Sequence, residues 1–177
     1  MTDPDTRPLY ERDPAAYRAH LAEGNANQAR KRVGVDALVR DRDGRILLVD
    51  PVYKPDWDLP GGMAEANEPP IDALRRELAE ELGLGLPGGV ALVCVDWVAP
   101  HGPWDDSMMM IFDAGTLTPD QAATLRVGDA ELAAFEFCPP EEARKRLRPH
   151  VWARLAAAVS AADNGSVAYL HNGRLAS

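Results

Sequence analysis

The chain has 177 residues, enough for one domain of ordinary size with extensions but not for two full ones. Apolar residues at 46% and charged ones at 27% exclude an intrinsically disordered chain. With 28 acids against 19 bases the net charge is −9, the wrong sign for wrapping a nucleic-acid polymer, although a cation could still join such a protein to a small phosphate compound.

Cys94 and Cys138 stand apart with no CxxC or Cys/His cluster, so they read as buried thiols of a reducing compartment. The first residues, MTDPDTRPLYERDP, lack the apolar core of a signal peptide. No apolar run approaches the ~20 residues of a membrane span, and a cytoplasmic protein without membrane partners is expected.

Residues 1 to 14 are rich in Pro and Asp, and Asp13-Pro14 reads as the cap and first turn of a short helix ending near Gly24. Val33, Val35, Ala37 and Val39 alternate with other residues up to Arg40, the period of a strand. The turn Asp41-Arg-Asp-Gly44 leads into a second short strand, Ile46 to Val49, so the pair reads as a hairpin. A loop of Pro, Asp and Gly fills 51 to 62, and a strong helix follows from about Pro69 to Leu82, stopped by Gly83. Val90 to Val98 and Met108 to Phe112 are β-prone, and Ala133, Phe135 and Phe137 alternate as a further strand. Pro139-Pro140-Glu-Glu opens a helix broken at Pro149; Trp152, Leu155 and Val159 give the helix after it, which ends at Asp163-Asn-Gly165. Val167 to Leu175, with His171-Asn-Gly173 inside, reads as a small hairpin. The expected division is an extension with a short helix over 1–30, a mixed α/β domain over 31–162, and a hairpin or tail over 163–177.

The chemistry concentrates between Trp57 and Leu84. At 100° per residue, Glu77, Glu80 and Glu81 share an arc of about 100° on the strong helix, while Ile71, Leu74, Leu78 and Leu82 form a separate stripe for the core. Like charges at i,i+4 cost a few tenths of a kcal/mol, and a solvated acidic face is one reading of them. The other is a divalent cation, since carboxylate oxygens are hard ligands suited to Mg²⁺ or Mn²⁺. Gly61-Gly62 lets bare backbone approach such an ion, and Glu68 can meet Arg76 across the loop.

Gly62-x5-Glu68-x7-Arg76-Glu77-Leu78-x-Glu80-Glu81-x-Gly83-Leu84 resembles the Nudix box, with every defining position filled. The resemblance extends from the hairpin ahead of the box to the elements behind it, about residues 30–160. It implies an α/β/α sandwich with a mixed β-sheet, the box forming loop, helix and loop over 62–84. It also implies Mg²⁺-dependent hydrolysis of a diphosphate bond in a nucleoside diphosphate linked to another moiety. By that resemblance Glu77, Glu80 and Glu81 are the metal-binding and base-supplying carboxylates, Glu77 and Glu81 being catalytic as well, and the Gly61 carbonyl is a further metal ligand. Glu77 is the first candidate for the general base, Arg76 and Glu68 orient the acids, and Glu131, with Asp129 behind it, is the extra acid ahead of a late strand.

The small-molecule phosphate substrate is not named by these residues; ADP-ribose, a nucleotide sugar and a nucleoside triphosphate all fit. Trp57 and Trp104 are the expected stacking surfaces for a base, with Trp97 either a third or a core residue. A silent nucleotide-binding module and a diphosphatase of a non-nucleotide metabolite are the alternatives. The N-terminal segment is a candidate swapping or homodimer element.

Overall fold

In the computed structural model, residues 6–86, 88–128 and 130–176 are described. The chain divides into two compact units, one up to Arg30 and one from Lys31 onward. In the first unit, α1 (Leu9–Arg12) precedes α2 (Pro14–Asn27). Asp13 caps α2 as expected, accepting from the Ala15 and Ala16 N–H groups at 3.1 and 2.9 Å. The helix runs through Gly24 to Asn27, because one glycine costs only about 1 kcal/mol and no proline follows.

The second unit is built on one mixed sheet. Its strands are β1 (Arg32–Arg40), β2 (Ile46–Pro51), β3 (Gly61–Met63), β4 (Ala91–Val98), β5 (Ser107–Thr116), β6 (Leu132–Cys138), β7 (Ala168–His171) and β8 (Arg174–Leu175). They lie in the order β6-β2-β1-β5-β4-β7-β8, with β3 also paired to β1. β1 runs parallel to β5, and β4 to β7; the remaining pairs are antiparallel.

Alternation along β1 and β2 decides which face each side chain serves. Val35, Ala37, Val39, Leu47 and Val49 pack with Leu74, Leu78 and Leu82 of α3 (Pro70–Leu82). Leu38, Ile46 and Leu48 pack on the opposite face with Leu147, Val151, Leu155 and Ala158, from the end of α5 (Pro140–Arg146) and from α6 (Pro149–Asn164). The result is the expected α/β/α sandwich. Among the described residues no helix is long and apolar enough to cross a membrane.

Three features differ from the sequence reading. The β1–β2 hairpin is paired only at Arg40↔Ile46, because β3 takes the same edge of β1 in the register Gly34↔Met63 to Asp36↔Gly61. β5 continues past Phe112 to Thr116, where a register shift between Leu38 and Val39 and a positive φ at Gly115 keep it alongside β1. A further helix, α4 (Pro119–Ala123), starts in a capping box between Thr118 and Gln121. β7 and β8 pair as an antiparallel hairpin within the same compact unit as β1 to β6, while Asp163 and Asn164 end α6.

Candidate functional site

α3 is fixed in place by its buried leucines and stopped by Gly83, which takes a left-handed φ of 63° and donates to the Ala79 carbonyl. Its acidic edge lies against β3. A Cβ on Gly62 would sit 2.4 Å from Glu77 Oε1, so the bare backbone leaves the space the carboxylate occupies. At Gly61 a Cβ would meet the Val35 carbonyl at 2.1 Å, and the φ of 141° is one that side chains rarely adopt. The Gly61 N–H donates to Glu81 Oε2 at 2.9 Å, tying the helix edge to the loop.

Arg76 organises the acids. Its Nε and Nη2 donate to the two oxygens of Glu68, each at 3.0 Å, and Nη2 reaches the Met63 carbonyl at 3.2 Å. Its Nη1 donates to Glu77 at 3.0 Å and to Glu80 at 3.3 Å. The bidentate pair is the strongest form of this contact, so the loop and the helix are clasped by one guanidinium. That pairing holds the Glu68 carboxyl below its usual range. Glu77 goes the other way. Burial raises its pKa first; Arg76 opposes, and Glu80 and Glu131 raise it further.

Glu131 therefore stands close enough for its charge to be felt at Glu77, and its carbonyl accepts from Val52 N–H at 2.8 Å beside the end of β2. The loop that carries it is docked on the C-terminus of α3. Gly128 N–H donates to the Glu81 carbonyl at 2.8 Å and Arg126 N–H to the Leu82 carbonyl at 3.2 Å, satisfying carbonyls a helix end leaves open. Asp129, the second candidate for the extra acid, lies outside the described residues.

The donors on this edge are hard oxygens, and Gly62 leaves room for Glu77 beside them, so they fit a divalent ion. Among the described residues no three His, Cys, Asp or Glu side chains form a ready-made cage. Mg²⁺ characteristically takes one or two carboxylates and leaves the rest of its shell to water and phosphate.

Beside the box lies a cavity of about 560 Å³. It reaches the box through Met63 and through Asp36, which pairs in register with Gly61. Trp104 lines it, half exposed at 53%, with the Arg32 guanidinium 4.4 Å from its ring centre. Trp57 is not on that lining. It packs with the core under α5 and α6, bridges to Leu147, and has Arg146 4.7 Å from its ring centre. Trp97 likewise serves structure, stacking edge-on to His171 and donating to Asp106 at 2.7 Å.

Sequence reasoning missed the cavity's polar floor: Asp36 on β1, Asp96 on β4 and Arg154 on α6, all buried. The signal was there, in charged residues at apolar positions of the pattern. Arg154 stands in the stripe Val151, Leu155, Ala158, and Asp36 shares the face of Leu38. Burial, with Asp58 adding, pushes the Asp36 carboxyl up to about 7 against the opposing pull of Arg154, Lys54 and Arg148.

Residues 30–158 match the family model of the NUDIX domain. A CTP pyrophosphohydrolase from Escherichia coli (strain K12) is 33% identical over 117 residues, covering 64% of this chain and 80% of that protein. An RNA pyrophosphohydrolase from Halorhodospira halophila is 45% identical over 62 residues, 35% of this chain and 34% of that protein, so the chain spans about a third of this relative's length. Among solved structures, a MutT NUDIX hydrolase from Burkholderia pseudomallei superposes with a TM-score of 0.59 at 27% identity, covering 74% of this chain and 98% of that one.

Proposed function

Because the chain belongs to the Nudix hydrolase family, we propose that it is an Mg²⁺-dependent hydrolase of a diphosphate bond in a nucleoside triphosphate or in a nucleoside diphosphate linked to another moiety. The observation that carries this reading is the clasped acidic edge: Glu77 lodged against Gly62, Glu81 tied to Gly61, and Arg76 joining Glu68, Glu77 and Glu80. The relative named a CTP pyrophosphohydrolase supports a nucleotide substrate.

The Gly61 carbonyl, Glu77 and Glu81 would hold the ion, with Glu80 at the solvent side; Mn²⁺ has the same donor preference. When bound, Mg²⁺ supplies charge neutralisation at phosphate oxygens and a more acidic water. Glu77 is the first candidate to take the proton of the attacking water on its carboxylate, and Glu131 the second. Arg76 fixes the direction from which Glu77 acts, and Trp104 offers its exposed ring as a stacking surface for the base.

The test is release of phosphate, pyrophosphate or nucleoside monophosphate from a panel with and without Mg²⁺. The panel holds normal and oxidised triphosphates, ADP-ribose, nucleotide sugars and dinucleoside polyphosphates. Turnover of at least one member is expected, lost by roughly a hundredfold or more in Glu81→Gln at an unchanged melting temperature. Nucleotide binding without turnover would identify a silent module instead.

A further inference from the structure

Hydrolysis leaves the charged floor of the cavity without a task, and Arg154 stands at its centre, in contact with Asp36 and Asp96. Arg154 is only 4% exposed, yet it lines the cavity. Its Nε donates to Asp96 Oδ2 at 3.1 Å, and its Nη1 stands 3.6 Å from Asp36 Oδ2, beyond hydrogen-bond length. A guanidinium carries five N–H groups, so most of this donor capacity meets no protein acceptor among the described residues. On the same lining, Arg148 Nε is buried without an acceptor, as is Arg40 Nε elsewhere in the fold. The Arg154 Nη groups open onto the cavity, where an acceptor supplied from outside the protein can take their N–H groups.

Arg154 is held firmly. Asp96, fully buried on β4, accepts its Nε and also the Gly173 N–H, at 3.0 and 3.1 Å through its two oxygens. The β7–β8 turn and α6 are thus fastened to one carboxylate. Donors remain open on this floor, but its cations Lys54, Arg148 and Arg154 already have carboxylate partners. Asp58 pairs with Lys54 and Arg148, and Arg154 faces Asp96 and Asp36. A phosphate placed there would meet three carboxylates, whereas a neutral carbonyl oxygen would fill the N–H groups without adding charge.

We propose that Arg154 selects the substrate's base by donating to a keto oxygen, so that guanine, cytosine or uracil is taken in preference to adenine. Adenine has no exocyclic oxygen, and its amino group would face the guanidinium donor to donor. Guanine, by contrast, offers O6 and N7 to two arms of the fork. The inference rests on the proposed nucleotide hydrolase and on the cavity as its nucleoside site.

Calorimetric titration with GMP, CMP, UMP and AMP reads this selection without turnover. The tightest keto nucleotide is expected to bind about tenfold or more better than AMP. Arg154→Lys keeps the charge but loses the fork, and should bring that ratio within roughly threefold. Equal or tighter AMP binding by the wild type, a preference retained in the variant, or no binding of any monophosphate would overturn the proposal. Should Arg154→Lys not melt cooperatively, the charge-balanced Arg154→Gln/Asp96→Asn pair carries the same expectation. Selection without hydrolysis would remove the hydrolase reading alone; hydrolysis without selection would remove this one alone.

Discussion

Gly62 and Glu77 are coupled by a single missing atom. The carboxylate occupies the volume where any side chain at position 62 would begin. Gly62→Ala should therefore displace Glu77 rather than unfold the chain. The expected result is a loss of turnover of about a hundredfold, since a shift of ~1 Å in a reacting group is enough for that. The stability cost should stay near 1–3 kcal/mol, in the range of a local overpacking. Denaturant melts beside steady-state rates check both numbers; full activity in the alanine variant would show that Glu77 has no fixed task. At this scale the sequence was informative where residues act through fixed spacing. Glu77 and Glu80 reach Arg76 from the same helix, because a helix converts spacing into geometry, and Glu68 meets it from the loop, while Glu81 accepts from Gly61 N–H. Trp57 was not legible. Its ring follows Arg146 and Leu147, residues far off in the chain, and nothing local announces them.

Among elements, α3 could be read from its leucine stripe and its stop at Gly83, both short-range signals. The separation of β1 from β2 could not, because it depends on β3, met later in the chain, taking the edge of β1 that faces β2. The short helix α4 was readable from Thr118 and Gln121 as a capping box, yet its few residues offer too little periodicity to stand out. The loop after α4 has more influence than its irregularity suggests. A Cβ on Gly128 would lie 2.0 Å from the Glu80 carbonyl, so only glycine lets this loop close over the end of α3. Gly128→Ala should push the loop outward and carry Glu131 from Glu77. We expect a fall in kcat of roughly tenfold or more, a general acid–base contribution being worth 10²–10⁴. The melting temperature should fall by only a few degrees. A variant with unchanged kcat would show that Glu131 takes no part in the reaction.

For the molecule as a whole, the two faces of the sheet have separate duties. The α3 face carries the acids, and the α6 face carries the cavity floor and both thiols. Cys94 is fully buried there, its pKa raised to about 12 chiefly by burial, and Cys138 is buried and raised as well. Thiolate is the reactive form, so at pH 8 neither should react with iodoacetamide while the fold holds. Both should react within minutes in denaturant, as counted by mass spectrometry. Rapid labelling of the native protein would contradict the packing of the α6 face. Composition indicated two quiet thiols; their shared face follows only from the register of β4 and β6, which no local pattern fixes.

The C-terminal hairpin has a bearing on solubility. β4 reads ALVCVDWV, and one of its edges is covered by β5 while the other is covered by β7 from Cys94 to Trp97. An uncovered strand of that composition is a template for pairing with other copies. The hairpin closes it and ends the sheet in β8, a strand of 2 exposed residues too short to recruit another. A chain stopped after Gly165 should scatter light as it self-associates at micromolar concentration, even with α3 and its acids intact. The short terminal hairpin would then be a guard against fibrous assembly, set on the strand most prone to begin it.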